Sequence, residues 1–200
     1  MEIINKHGKV LFESKTVSRF TELVEEAVQE GIELADADFS HQDLSHACLN
    51  GSCLFGANFS HCNLEGIDFD GAQLNGANFQ NARVKEAQFS EASLIWCNLS
   101  SADLNKADLS HSLLQGANLH GASLQKADLS GANLYGANLK GANLMWANLC
   151  GVDLSGADLS ACDLYGAFMD MQAVLRTNFR SVNLQNTLLT NTLLQLSLPV

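Results

Sequence analysis

Every fifth residue from Leu34 to Leu194 is apolar, Leu, Phe, Val or Met without exception, over 33 consecutive positions in unbroken register. A period of five fits neither an α-helix at 3.6 residues per turn nor a strand at 2. It fits a chain that turns a corner every five residues and repeats itself along one dimension. The neighbouring positions agree. Two residues before the apolar centre, alanine fills 19 of the 33 places, so a second, small side chain points inward. Asn or Asp immediately precedes the centre in 20 of 33, and 13 of the 15 glycines lie two residues after it. Glycine and asparagine are expected at the corners, because turns often need backbone angles that branched residues resist.

Four such sides, twenty positions in all, close one square coil. Coils stacked at a strand-like spacing of about 4.8 Å make a rod of just over eight coils, roughly 40 Å long. Composition follows from the unit: leucine and alanine at the two inward sites account for nearly half of the 46% hydrophobic content. Residues 20 apart should lie over one another, so Phe39, Phe59 and Phe79 form one internal ladder and Phe69 and Phe89 another.

Blocks such as Gly131-Ala132-Asn133-Leu134-Tyr135 and Gly141-Ala142-Asn143-Leu144-Met145 resemble the pentapeptide-repeat family, whose consensus reads Ala-(Asp/Asn)-Leu-x-x. The resemblance covers residues 32–196. It implies an all-β solenoid, a right-handed quadrilateral β-helix of about eight coils; it implies no particular activity.

The ends differ. Residues 1–31 carry no repeat and read as an N-terminal α/β cap. Ile3-Ile4 and Val10-Leu11-Phe12 flank a glycine turn as a hairpin. Val17, Phe20, Val24, Ala27 and Val28 follow at helical spacing, with Thr16 or Ser18 as the expected start and Gly31 as the stop. Such a cap covers the apolar core and unpaired backbone of a solenoid end. Toward the other end the repeat decays, with Gln172 at an inward position, which predicts a bulge or loosened corner near 168–176. Outward Phe168 and Leu188 are expected one coil apart on one side, with Leu193 on the next. This apolar C-terminal end predicts either a tail folded over the core or end-to-end homodimerisation. The tail proper is 197–200.

Of the six cysteines none has zinc-knuckle spacing, so free and mostly buried thiols are expected. His41 and His61 stack without a third ligand. No nucleophile, base or phosphate-cradling loop departs from the repeat, and a filled rod offers no pocket. The expectation is a non-catalytic module with no cofactor and no metal. A net charge of −11 argues against direct nucleic-acid contact, and no run is long and apolar enough for a membrane span. The N-terminus lacks the apolar core of a signal peptide, so a cytoplasmic location is expected.

Two surface features remain. Phe55, Ile95, Tyr135 and Leu175 occupy equivalent outward sites on every second coil, with Trp96 beside Ile95, while Met145, Trp146 and Tyr165 gather on what reads as an adjacent face. Exposed aromatics of this kind are enriched at protein interfaces. The second feature is acidic: Glu33, Asp36, Asp38, Asp43, Glu65, Asp68 and Asp70 fall within residues 32–70, which hold no Lys or Arg. The primary expectation is therefore a scaffold that binds an as yet unidentified protein. The alternative comes from the resemblance, since some family members protect DNA gyrase by mimicking duplex DNA, and this would make the chain a modulator of a type II topoisomerase through its acidic first coils.

Overall fold

The computed structural model describes residues 1–171 and 173, together with the backbone at 193–194. From Leu34 to Met169 the chain winds as a four-sided β-helix of about seven coils. Parallel bridges join residues 20 apart without interruption, from Asp38↔Asn58 to Asn148↔Phe168. Each coil is bonded to the next through three kinds of backbone contact, one of them from the corner amide, as Gly56 N–H donates to the Asn75 carbonyl at 3.0 Å. The amide of an apolar centre donates forward, as Phe39 N–H does to the Asn58 carbonyl at 2.9 Å, and the amide before it donates backward, as Asn58 N–H does to the Ala37 carbonyl at 2.8 Å. Centres and the small residues two before them are buried throughout. We number the sides in chain order: the first holds Leu34, Leu54 and Leu74, the second Phe39, Phe59 and Phe79, the third Leu44, Leu64 and Val84, and the fourth Leu49, Phe69 and Phe89.

Corners are uniform. In each, the inward small residue donates its N–H to the preceding centre's carbonyl, as Ala57 does to Leu54 at 3.2 Å. The third residue of each turn, from Asp36 to Gly166, sits at φ between +57° and +73°, while the residue before it does not have positive φ. That combination defines a type II turn. Glycine is favoured there because it alone adopts this angle without strain. Asn81 holds such a corner as expected, but most asparagines work instead from the position before the centre, through their side chains. The Asn98 Oδ1 accepts the Ser100 N–H at 3.2 Å, and the same brace recurs from Asp38 to Asp163.

The aromatic ladder forms in the N-terminal half. Phe39, Phe59 and Phe79 stack with centroids 5.0 and 4.9 Å apart, and Phe69 stacks on Phe89 at 5.3 Å. The two columns meet edge to face, Phe59 on Phe69 at 5.4 Å, a favoured geometry for aromatic pairs.

Ahead of the coil, β1 (Glu2–Ile4) and β2 (Val10–Glu13) pair antiparallel around Gly8, and α1 (Phe20–Gln29) packs Leu23, Val24 and Ala27 against the first coil. The helix begins at neither Thr16 nor Ser18. Its N-cap is Arg19, because the Glu22 carboxylate reaches back to accept the Ser18 and Arg19 N–H groups and holds the Arg19 guanidinium at 2.9 Å. Gly31, at φ +71°, ends it: Gly31 N–H donates to Val28 and Ile32 N–H to Ala27, closing a Schellman motif.

At the far end the regular pairing changes. β3 (Phe168–Met169) pairs parallel with β4 (Leu193–Leu194), Phe168 opposite Leu193. Leu193 thus takes the place expected for Leu188, one repeat further along the chain. Met171 and Ala173 are helical, within the span 168–176 where a loosened corner is expected. Leu188, Leu175 and the tail 197–200 lie outside the described residues.

Candidate functional surface

Outward residues fall into four columns of different chemistry. Between residues 53 and 136 every Asp, Glu, Lys and Arg lies on the third or fourth side. The first and second sides are neutral over that length. This segregation is a consequence of the four-sided coil acting on a pattern that shows no charge periodicity at five.

The second side carries an amide ladder. Asn58 donates from Nδ2 to Asp38 Oδ1, Asn78 to Asn58, Asn98 to Asn78, Asn118 to Asn98 and Asn138 to Asn118, all at 2.9–3.2 Å. Each amide thus pairs with the coil before it while its oxygen braces its own corner. His41 and His61, at the following corner, stack at 4.9 Å with rings nearly parallel. Stacking face to face points their nitrogens sideways, not at a shared ion. Among the described residues no group of three or more His, Cys, Asp or Glu gathers as a metal site.

The first side carries exposed apolar residues among neutral polar ones. Trp96 is 73% exposed and Tyr135 60%, with Phe55 and Leu113 near 40% and Ile95 half-buried. Leu113 was not singled out from sequence; its signal was an apolar residue where Asn or Asp normally stands. Trp96 occupies a left-handed corner at φ +59°, and its indole lies over Gly116, where an added Cβ would collide with the ring. The ring is held flat against the rod by the absence of a side chain one coil on.

Trp146 repeats this device over Gly166, and its indole meets Tyr165 edge-on at 5.4 Å. These two residues and Met145 do not adjoin the Trp96 face. Residues 96 and 146 are two and a half coils apart, which places them at opposite corners. The aromatic residues therefore make two separate surfaces.

The seven acids of the first coils do not form one patch either. They are distributed over all four sides, and several are engaged. Asp36 bonds Lys6 at 2.7 Å, and Glu65 bonds both Arg83 and Lys85. Asp43 is held below the ordinary carboxylate range by the Ser45 amide and hydroxyl, with Asn63 adding to them. Asp38 is buried enough to oppose ionisation, yet Ser40 and Asn58 outweigh this and lower its pKa as well. Asp70 goes the other way: burial raises it, and although the Ser90 N–H offsets part of that, Asp68, Asp108 and Glu91 add like-charge repulsion. The acidity that does gather is on the fourth side and its corner, where Asp68, Asp70, Glu91, Asp108, Asp128 and Asp170 stand with no Lys or Arg between them.

Three of the six free thiols are fully buried, fewer than the sequence led us to expect. Cys62, Cys97 and Cys162 sit at inward positions, and each donates S–H to a carbonyl at 2.8 Å. Burial pushes them up to about 11, 12 and 12. Cys53 and Cys150 are half-buried and Cys48 is exposed, because these three stand at the outward place that Asn or Asp usually takes, or beside it. Shallow openings border the cap, one of about 420 Å³ being lined by Arg19, Phe20, Thr21, Gln42, Asp43 and Ser45. Another of about 250 Å³ lies between the end of α1 and Asn50–Cys53, away from the aromatic residues.

A four-sided β-helical solenoid with a capped N-terminal edge and chemically distinct sides is the class defined by this architecture. The chain belongs to the pentapeptide-repeat family: the family's model, "Pentapeptide repeats", matches in eight copies across residues 30–170. The fold is accordingly a right-handed quadrilateral β-helix. Among solved structures it is similar to HetL, a pentapeptide repeat protein involved in heterocyst differentiation regulation from the cyanobacterium Nostoc sp. strain PCC 7120, with 24% identity, TM-score 0.41, and coverage of 86% of this chain and 93% of that one. It is also similar to full-length QnrB1, a plasmid-mediated fluoroquinolone resistance protein (22%, TM-score 0.48, 77% and 87%), and to a pentapeptide repeat protein from the Arabidopsis thaliana thylakoid lumen (30%, TM-score 0.44, 60% and 70%). No curated protein matches. No helix among the described residues is long and apolar enough to cross a membrane.

Proposed function

We propose that this protein is a non-catalytic scaffold that holds a protein partner on the first side of its rod. One observation carries the reading: the side bearing Phe55, Ile95, Trp96, Leu113 and Tyr135 is free of charge from residue 53 to 136 on a chain of net charge −11. Desolvating a neutral apolar strip costs little, whereas every approach to the third and fourth sides must strip water from carboxylates or ammonium groups. Large exposed aromatics are also the side chains that anchor interfaces. Affinity capture with the wild type and with Trp96→Ser/Tyr135→Ser tests it. Capture is expected to be lost in the double variant and kept by Trp146→Ser at the opposite corner, with thermal melting showing that each is folded. Unchanged capture by the double variant would remove the first side from the reading.

The fourth side supports a second reading, modulation of a type II topoisomerase by imitation of DNA. Its six acids from Asp68 to Asp170 span five coils, ~24 Å, an average interval of about 4.8 Å, of the same order as the ~3.4 Å spacing along one DNA strand. A gyrase supercoiling assay decides. Inhibition or protection that disappears on Asp108→Asn/Asp128→Asn favours this reading over the scaffold, and no effect at modest molar excess eliminates it.

A further inference from the structure

We infer that the ligand of the first side is an uncharged polyproline II segment lying along the rod axis; this rests on the scaffold reading and names its partner's chemistry. Phe55, Ile95 and Tyr135 share one column at intervals of two coils, and so stand about 9.6 Å apart. A polyproline II helix has three residues per turn and rises 3.1 Å per residue, so each of its faces repeats every ~9.3 Å. A β-strand, whose side chains recur on one face every ~6.8 Å, falls out of step with these ridges after one interval.

The troughs between ridges suit the same ligand. The first is floored by Asn75 and Gly76, and a side chain at Gly76 would meet nothing within 4 Å, so the space there is open. The Asn75 Oδ1 is already used by the Ser93 hydroxyl at 2.6 Å and the Ile95 N–H at 3.1 Å, which leaves its NH2 as a donor. The second trough holds Gln115, whose Oε1 is the buried end of its amide. Polyproline II backbone exposes carbonyls and needs donors, and its side chains dock between aromatic ridges. The Trp96 indole N–H and the Tyr135 hydroxyl, both on largely exposed side chains, are further donors along the strip.

Size and charge exclude a second copy as the preferred occupant. The strip is ~20 Å long and only one side of the coil wide, well short of the roughly 800 Å² per partner of a stable protein interface. A short, stiff segment is matched to that area, and because its conformation is preformed it loses little entropy on docking. A neutral strip offers a charged peptide nothing to pair with.

The probe is a capped nine-residue oligoproline, ~28 Å long, titrated into a Trp146→Phe background so that Trp96 is the sole tryptophan. Saturable change in Trp96 emission is expected, with no response to a capped Gly-Ser nonapeptide. Tyr135→Ser should weaken binding at least tenfold, and Phe55→Ser likewise, while Asp108→Asn on the fourth side should change it less than twofold. Thermal melts confirm that each variant is folded. No saturable response, an equal response to the Gly-Ser peptide, or indifference to Tyr135→Ser would overturn the inference. Concentration-dependent dimerisation abolished by Tyr135→Ser but not competed by oligoproline would assign the strip to a second copy and also overturn it. If oligoproline fails while the Trp96→Ser/Tyr135→Ser variant still loses its captured partner, the polyproline assignment falls and the scaffold reading stands.

Discussion

Asp43 and Asp70 occupy related outward positions on neighbouring sides, and their surroundings drive their ionisation in opposite directions. Hydrogen bonds from Ser45 and Asn63 lower Asp43, whereas burial among like charges raises Asp70. A lowered carboxylate contributes stability that is present above its unfolded pKa and lost as pH falls through the folded value. A raised one is a penalty at neutral pH that is relieved as pH falls. Asp70→Asn should therefore raise the melting temperature at pH 7, since an amide still accepts the Ser90 N–H. Asp43→Asn should lower it. The gain from Asp70→Asn should vanish near pH 3, below the ordinary carboxylate value, and the loss from Asp43→Asn should diminish as pH falls below that value, which melting curves across pH 3–8 would show; a gain from Asp70→Asn that persists at pH 3 would contradict the electrostatic account. The same scale governs the corners. Trp96 holds a left-handed angle that costs a non-glycine residue of order 1 kcal/mol. Trp96→Gly should thus stabilise the rod by several tenths of a kcal/mol or more in chemical denaturation while removing the first side's main anchor. Gly116→Ala should do the reverse, destabilising by about 1 kcal/mol or more, because it adds strain at φ +65° and displaces the indole above it.

At the scale of elements, α1 and β1 do for the first coil what a preceding coil does for all the others. Asp38 N–H finds the Ile4 carbonyl at 2.8 Å, and Cys48 N–H finds the Glu25 carboxylate at 2.9 Å, where later coils use a backbone oxygen. Phe20 continues the aromatic ladder by meeting Phe39 edge-on at 6.2 Å. Glu25→Ala leaves the Cys48 amide without this partner and should cost about 1–2 kcal/mol, with faster hydrogen exchange confined to the first coil. Exchange spread evenly over the rod would refute the local role. Much of this was legible in sequence: the apolar pattern marked the hairpin and helix, and Gly31 marked the stop. The start was missed because Arg19 is no ordinary cap, and only the Glu22 side chain folding back makes it one. The rod itself was legible to the residue, since inward positions depend on the five-residue period alone. Its surface was not. Placing Trp146 beside or opposite Trp96 requires counting quarter turns around the coil, and the amide ladder and charge-free sides emerge only when residues 20 apart are read together.

For the whole molecule, two periods are superposed: the single repeat sets the interior, and the coil of four repeats sets the exterior. Repeats contact only their neighbours in such a solenoid, and every side presents the same small-plus-apolar pair to the core. Removing one repeat, residues 101–105, should therefore preserve the fold, because each downstream centre still lands on another centre after a quarter turn. Outward columns must all shift by one side. In the intact chain, Ile95→Cys and Gln115→Cys stand one coil apart, about 4.8 Å, within the Cα separation that a disulfide bridges. Oxidation is expected to join them in the full-length protein but not in the deletion, where position 115 has moved to the adjoining side. In that shortened chain, Ile95→Cys should instead join with His120→Cys, which the deletion brings onto the same side one coil on. Mass spectrometry of the oxidised proteins reads both outcomes, and a melting temperature within several degrees of the wild type shows that the interior tolerated the change. Cross-linking of 95 to 115 in both chains would mean that the coil absorbs the loss locally and that the count around the coil does not set the exterior. The expected pattern has a consequence for binding: Tyr135 leaves the column of Phe55 and Ile95 in the deletion, so a partner held by all three should be released from a rod whose core is unchanged.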